Sequence, residues 1–159
     1  MTYAVVRVRG TVGIGGDTAD TLKFLRLNKP NHCVVVPKRP EYEGMLQKAK
    51  DYITWGEVRP EVLARMLLTR GSTAGRKGMT DGYVKKNSKY RSVIAFAKAV
   101  AKGVELLASM NGLNPVLRLH PPIKGYEGIK KPYSLGGSLG YRGERINDLL
   151  LRMLFVHED

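Results

Sequence analysis

The sequence predicts an α+β fold in which a β-α-β-α-β unit is followed by a helical and extended C-terminal appendage. Two observations support this fold class. Up to residue 59, short apolar runs alternate with amphipathic segments, which is the pattern of strands separated by helices. After it, helical patterns alternate with segments rich in glycine, proline and lysine. A chain of 159 residues can hold one core and its appendage, so we predict a core over residues 1–59 and an extension over 60–159.

The first strand is predicted over residues 3–9. Successive side chains of a strand point to opposite faces. Val6 and Val8 therefore lie on one face, and Arg7 and Arg9 lie on the other. We expect this strand to have one apolar face and one basic face.

A helix is predicted after a glycine-rich turn, because Asp17 or Thr18 can cap its start and Pro30 cannot continue it. Its inward side chains include Leu22 and Phe24. The same patterns predict the remaining core elements, which are a strand at residues 32–36, a helix at 41–51 and a strand at 51–58.

The extension contains three segments with helical periodicity, near residues 60–70, 92–110 and 144–155. Residues 71–91 carry six basic residues and four glycines, without a helical or strand period long enough to build a core. The run "PVLRLHPP" predicts one short strand, which two prolines end. Residues 123–143 are rich in glycine, proline, lysine and tyrosine, and we predict an extended arm there.

The charge of the chain is its most informative property. It holds 27 Lys and Arg against 14 Asp and Glu, a net charge of +13. An excess of this size repels itself in a free protein and is typical of proteins that bind a polyanion, with nucleic acid as the first expectation and an anionic membrane surface as the second. The apolar stretches are too short and too often interrupted by lysine to span a membrane. The N-terminus lacks the pattern of a secretion signal, so we expect a cytoplasmic protein.

No cofactor or metal is expected. Cys33 stands alone within the apolar run "CVVV", so we predict a buried strand residue. The histidines are scattered without the spacing of a zinc site.

The turn "GTVGIGGD" resembles phosphate-binding loops only superficially. A dinucleotide fingerprint needs a glycine where Thr18 stands and an acid where Lys38 and Arg39 stand. The Walker A lysine is absent. The turn also resembles that of acylphosphatases, but Gly16 and Asp17 occupy the place of their phosphate-binding arginine. A carboxylate at a helix N-terminus repels a phosphate, so we interpret the turn as a backbone bend.

Three clusters of basic and aromatic residues have the chemistry that RNA recognition requires, namely cations for phosphates and rings for unpaired bases. The first cluster contains Arg7, Arg9, Lys23, Arg26, Lys29, Asn31 and His32. It fits a solvated basic face equally well. The second cluster contains Arg76, Lys77, Lys85, Lys86, Lys89, Tyr90 and Arg91. Its alternative interpretation is a flexible linker. The third cluster contains Arg118, His120, Lys124, Tyr126, Lys130, Lys131, Tyr133, Tyr141, Arg142 and Arg145, interleaved with glycines.

Longer motifs carry a resemblance to a known family. These are "RVRG" with "DTLKFLRLNKPNHCVVVPKRPEYEGMLQKAKDYITWGEV", then "LRLHPP", then "GGSLGYRGERINDLLLRML". In this order they resemble the long archaeal form of the ribosomal large-subunit L-thirty family, which is similar to the eukaryotic protein L-seven. Bacterial members resemble residues 3–58 alone. The resemblance implies a ferredoxin-like core, with a three-stranded antiparallel sheet and two helices on one face, plus an archaeal extension. It also implies RNA contacts at the basic turn after the first strand and around Asn31 and His32.

The sequence therefore predicts a non-catalytic constituent of the large ribosomal subunit that binds ribosomal RNA through basic loops and an extended arm. We find no nucleophile beside a base, no carboxylate pair and no ligand set for an enzyme. Neighbouring ribosomal proteins are candidate partners, whereas no small-molecule substrate, membrane or homo-oligomer is expected. Two alternatives remain at this stage: a small acylphosphatase-like enzyme, which turnover of an acyl phosphate would reveal, and a free RNA chaperone, which would not sediment with large subunits.

Overall fold

The computed structural model describes residues 2–10, 13–73, 78–110 and 112–154 of the chain. Its strands are β1 (Thr2–Arg7), β2 (His32–Pro37), β3 (Ile53–Glu57), β4 (Leu117–Arg118) and β5 (Gly140–Tyr141). Its α-helices are α1 (Gly16–Phe24), α2 (Pro40–Lys48), α3 (Pro60–Arg70), α4 (Asp81–Asn87), α5 (Val93–Ala101) and α6 (Ile146–Met153). Three single 3-10 turns lie at Leu107–Ser109, Tyr133–Leu135 and Gly143–Arg145. The mixed α and β composition that the sequence predicts is confirmed.

The strands form one sheet in the order β4-β2-β1-β3-β5. Strand β1 lies at the centre and pairs antiparallel with β2 and with β3. The prediction of a three-stranded sheet is wrong, because the extension adds one two-residue strand to each edge. Strand β4 joins β2 antiparallel, and β5 joins β3 in parallel. The strand predicted in the run "PVLRLHPP" corresponds to β4, whereas the two residues of β5 are too few to show a strand pattern.

Both faces of the sheet are covered by helices. Tyr3 and Val5 of β1 pack with buried residues of α1 and α2 in one apolar cluster. Ala4 and Val6 pack on the opposite face with buried residues of α3, α5 and α6 in a second cluster. The prediction of a basic face on β1 is therefore wrong: every residue of this strand is buried, including Arg7. The helices of the extension cover the face that a core standing alone would expose.

The buried position predicted for Cys33 is confirmed, since none of its surface is exposed. Burial raises the pKa of its thiol to about 12. Phe24, in contrast, is 73% exposed, although the pattern of α1 placed it inward. Helix α1 ends at this residue, and the Phe24 side chain lies outside the apolar stripe that contains the buried Leu22 and Leu25.

The segment 71–91 contains more structure than its sequence predicts. Helix α4 spans seven of its residues and buries Val84. The Thr80 side chain accepts a hydrogen bond from the Tyr83 N–H at 3.2 Å, and Asp81 Oδ1 accepts one from the Val93 N–H at 2.8 Å. A helix of two turns is too short to show an amphipathic period in the sequence. The hydrogen bonds of Thr80 and Asp81 therefore mark this helix better than its hydrophobic pattern does.

The helix predicted over 92–110 ends at Ala101. Gly103 follows with a φ of 83°, in the left-handed region that glycine adopts without strain. The helices predicted near 60–70 and 144–155 correspond to α3 and α6. No helix in the described ranges has the length and hydropathy needed to cross a bilayer.

Candidate nucleic-acid interface

Residues of the first and third basic clusters meet where β4 joins the sheet. His32 pairs with Arg118 in the β2–β4 ladder. The Leu119 N–H donates to the Asn31 carbonyl at 3.1 Å, and the Tyr126 hydroxyl donates to Asn31 Oδ1 at 2.6 Å. We call Lys29, Asn31, His32, Arg118 and Tyr126 the edge cluster. Its members come from two segments that are distant in the sequence, and their meeting depends on the added strand β4.

The backbone beside the edge cluster adopts an uncommon conformation. Arg26, Asn31 and Lys124 have φ values of 65°, 69° and 67°. Asparagine tolerates this left-handed region better than the two cationic residues do. Residues held in such conformations concentrate at binding sites, where the surrounding fold maintains the strain. Arg26 and Lys124 both present exposed cationic side chains from these positions.

The Arg7 side chain stabilises the turn between α1 and β2 from inside the fold. It is 3% exposed, and its Nη1 donates to the Leu27 carbonyl at 2.7 Å while its Nε donates to the Arg9 carbonyl at 2.9 Å. The Asn31 N–H in turn donates to the Arg7 carbonyl at 2.8 Å. Burial lowers the pKa of the Arg7 guanidinium. Its predicted RNA contact stays a prediction, but the side chain is enclosed by the turn that it braces.

His32 lies among cations that resist its protonation. Burial lowers its pKa, and the positive charges of Arg118, Lys29 and Arg7 lower it further. Its Nδ1 is buried without a hydrogen-bond partner in the described part of the chain. A bound anion would offset these positive charges and raise the pKa of His32. This pKa is therefore a probe of anion binding at the edge cluster.

The remaining cations of the first cluster lie at the surface. Arg9 stacks over the Tyr52 ring at 4.9 Å and donates from Nη1 to the Asp51 carbonyl at 3.3 Å. Lys23, Arg26 and Lys29 are exposed, and within the described ranges none of them pairs with a carboxylate.

The second cluster divides into free and engaged residues. Lys85, Lys86 and Arg91 are exposed. Lys89 Nζ lies 3.4 Å from Glu105 Oε1, and the Tyr90 hydroxyl donates to the same oxygen at 3.3 Å. The Tyr90 ring packs against Phe96 with 5.8 Å between centroids. Tyr90 therefore anchors this segment to α5. Arg76 and Lys77 lie outside the described residues.

Most cations of the third cluster project from its loops. Lys124, Lys130, Lys131 and His120 are exposed. Arg145 is exposed as well, with Nη1 at 3.7 Å from Asp148 Oδ2. Surface ion pairs of this kind contribute about 0–1 kcal/mol, so the pair leaves Arg145 able to turn to another anion.

Three other members of the third cluster hold the glycine-rich loop against β3. Arg142 donates from Nε to Thr54 Oγ1 at 2.8 Å and from Nη2 to the Ser138 carbonyl at 2.7 Å. Its guanidinium lies 4.8 Å from the centre of the Tyr133 ring. The Tyr141 hydroxyl donates to both carboxylate oxygens of Glu57, at 2.6 and 2.7 Å. These three side chains already have partners within the fold.

The glycine-rich turn before α1 has no feature of a phosphate site in its described part. Asp17 lies in the first turn of α1, and its Oδ1 is 2.7 Å from Lys48 Nζ. A carboxylate in the first turn of α1 disfavours a phosphate at this helix N-terminus. Thr11 and Val12 lie outside the described residues. No group of three or more His, Cys, Asp or Glu side chains suited to a metal occurs in the described ranges.

Sequence reasoning missed two residues near these clusters. Arg70 closes α3, where its pattern indicates a helix end, yet its Nε is buried without a partner in the described part. Phe24 lies exposed between Lys23 and Arg26. An aromatic residue between cations is the one signal that could have drawn attention to Phe24, since exposed rings stack on unpaired bases.

Comparisons with known proteins agree on one family. The family model described as "Ribosomal protein L30p/L7e" matches residues 3–53. The large ribosomal subunit protein uL30 of Methanocorpusculum labreanum is 50% identical over 151 residues, which cover 95% of this chain and 99% of that protein. The protein of the same name from Methanobrevibacter smithii is 52% identical over 152 residues, with 96% and 99% covered. That from Methanopyrus kandleri is 51% identical over 149 residues, with 92% and 100% covered.

Proposed function

The chain belongs to the ribosomal protein L30p/L7e family, and from that premise we propose how it serves as a structural constituent of the large ribosomal subunit. Membership confirms the resemblance that the sequence motifs indicated. The subunit to which its relatives belong also agrees with the expected location in the cytoplasm. The comparisons give no support to an acylphosphatase-like enzyme or to a free RNA chaperone.

We propose that the protein binds large-subunit ribosomal RNA through the exposed members of its three clusters. The observation that carries this proposal is the edge cluster, where cations from two distant segments meet beside left-handed backbone and, among the described residues, have no carboxylate partner. Lysine and arginine at such a surface bind phosphates and release counterions. The exposed lysines of α4 and of the loop after β4 add further cations to the surface.

The proposal assigns different roles to the residues predicted to contact RNA. Direct contact belongs to Lys23, Arg26, Lys29, His32, Lys85, Lys86, Arg91, Arg118, His120, Lys124, Lys130, Lys131 and Arg145. A supporting role, in which the side chain shapes the surface through internal bonds, belongs to Arg7, Arg9, Asn31, Lys89, Tyr90, Tyr126, Tyr133, Tyr141 and Arg142. Supporting this division, the second group has internal partners, such as Asn31 for Tyr126 and Glu57 for Tyr141.

We also propose that β1–β3 with α1 and α2 form a ferredoxin-like core over residues 1–59, to which residues 60–159 are an extension. The β-α-β-α-β order and the antiparallel pairing of β1 with both neighbours support this. The two parts share one apolar cluster, so the extension completes the fold as well as the basic surface.

Binding of the full chain to large-subunit ribosomal RNA over a series of salt concentrations tests the proposal. The double variant Lys29→Gln and Arg118→Gln should reduce the slope of log K against log salt by about 1.4–1.8, because each lost phosphate contact removes about 0.7–0.9. The double variant Lys98→Gln and Lys102→Gln removes the same charge from exposed positions at α5 and should change the slope little. Equal slopes for the two double variants would contradict RNA binding at the edge cluster.

A further inference from the structure

A cavity of about 280 Å³ lies between the end of α3 and strand β4. Arg70, Ser72, Asn114, Val116 and Arg118 line it. This volume is many times the roughly 10–15 Å³ that a cavity needs in order to hold one water molecule, so a phosphate group with part of its hydration shell fits. The cavity therefore has room for an anion beside the edge cluster.

Local hydrogen bonds fix the wall opposite α3. The Asn114 N–H donates to the Ser72 carbonyl at 2.8 Å, and Asn114 Oδ1 accepts from the Val116 N–H at 3.0 Å. Ser72 also forms a β-bridge with Gly78. Because these bonds join the segment after α3 to the segment before β4, the spacing between Arg70 and Arg118 is set by the fold.

The charge in this cavity is uncompensated within the described ranges. None of the lining residues is acidic, and neither arginine is joined to a carboxylate. Arg70 Nε is buried with no acceptor. An arginine cannot relieve this cost by losing its proton. The C-terminal end of α3 favours a positive charge but gives Nε no hydrogen-bond acceptor, and no other group in the described ranges supplies one.

We propose that Arg70 and Arg118 together bind one phosphate group of the RNA backbone in this cavity. The proposal rests on the RNA binding proposed above and adds Arg70, a residue that none of the basic clusters of the sequence contains. Guanidinium groups suit phosphate because their planar N–H donors match its oxygens in pairs. Arg118 pairs with His32 across the β2–β4 ladder, so this phosphate would lie next to the edge cluster.

A double-mutant cycle on the full chain tests whether the two arginines share one phosphate. Arg70→Gln and Arg118→Gln should each lower the slope of log K against log salt by about 0.7–0.9, and the double variant should lower it by no more than either one. Arg65→Gln is the matched control, since Arg65 is an exposed residue of the same helix outside the cavity. It should leave the slope unchanged. Slopes that add in the double variant, or an Arg70→Gln slope equal to that of Arg65→Gln, would overturn the shared site.

Titration of the free protein with inorganic phosphate separates this site from RNA binding in general. The Nε–H resonance of Arg70 should shift saturably in heteronuclear NMR spectra, whereas that of Arg65 should not. This readout does not require Arg70→Gln to fold. Absence of a shift would overturn the site even if RNA binds. A shift without any slope change for Arg70→Gln would show a site for free phosphate and overturn its assignment to the RNA backbone. If the unaltered protein showed no salt-dependent binding to RNA, the proposed function itself would be refuted.

Discussion

At the scale of single residues, the pKa of His32 is a probe of the charges at the edge cluster. Burial lowers the pKa of its imidazole below the ordinary value of about 6.5, and three neighbouring cations lower it further. The unfolded chain therefore binds a proton in a pH range where the folded chain does not. The stability of the free protein should fall as the pH drops through about 6.5 towards the folded pKa.

We predict that the pKa of His32 rises in the Lys29→Gln variant and rises again when RNA binds, because both changes reduce the positive potential around the ring. Imidazole shifts in an NMR pH titration measure both effects. Lys102→Gln serves as control, since Lys102 is not among the cations that lower this pKa. An unchanged His32 titration on RNA binding would mean that no phosphate approaches the edge cluster.

Local patterns placed Lys29 and Arg118 in two separate basic clusters, and both side chains are exposed, but the patterns did not show which basic residues form hydrogen bonds within the fold. Lys29 and Arg118 each follow from charge alone, whereas their meeting depends on the β2–β4 pairing of His32 with Arg118. For Arg7, the predicted position itself was wrong. Alternation placed it outward, but its guanidinium reaches back to the Leu27 carbonyl, because long cationic side chains can turn inside a fold to satisfy backbone groups.

At the scale of elements, α6 meets β3 through two features that no pattern within either element reveals. Asn147 is fully buried. Its Nδ2 donates to the carbonyls of Glu57 and Glu144 at 3.0 and 2.9 Å, and its Oδ1 accepts from the Arg59 N–H at 2.8 Å. The sequence predicted the helices α3 and α6, but it does not show why a polar residue such as Asn147 is buried, because the partners of its side chain lie partly on another element.

Gly56 is the second feature. The carbonyl group of Gly143, at the turn that precedes α6, lies where a Cβ on Gly56 would stand, and the Ile146 side chain is 3.0 Å from that point. We therefore predict that Gly56→Ala lowers the free energy of unfolding by about 1–3 kcal/mol, the usual cost of overpacking. The value should lie at the upper end because the obstacle is backbone and cannot rotate away. Urea denaturation measures the change.

Gly44→Ala is the matched control for this substitution. Gly44 lies within α2 with open space around its Cβ position. Alanine is the better helix former, so this variant should be more stable by about 0.5–1 kcal/mol. If Gly56→Ala were as stable as Gly44→Ala, the close approach of the extension to β3 would be refuted.

At the scale of the whole molecule, the extension is part of the hydrophobic core. Ala4, Val6 and Cys33 are fully buried in the cluster that contains residues of α3, α5 and α6. The Thr2 side chain also donates to the Val100 carbonyl at 2.6 Å. A fragment of residues 1–59 would expose this entire face of the sheet to water, and large exposed apolar patches promote association.

We predict that the 1–59 fragment associates and binds a hydrophobic dye, and that Val6→Thr with Cys33→Ser reverses both effects in the fragment. The same pair of substitutions should destabilise the full chain by roughly 2–5 kcal/mol, because there each hydroxyl replaces an apolar contact inside the core. Light scattering of the fragments and urea denaturation of the full chains measure the two outcomes. The opposite signs are the critical result, since an ordinary solubilising substitution would improve the fragment without weakening the full chain. A monomeric unaltered fragment that unfolds cooperatively at the same urea concentration as the full chain would mean that the second face of the sheet needs no cover.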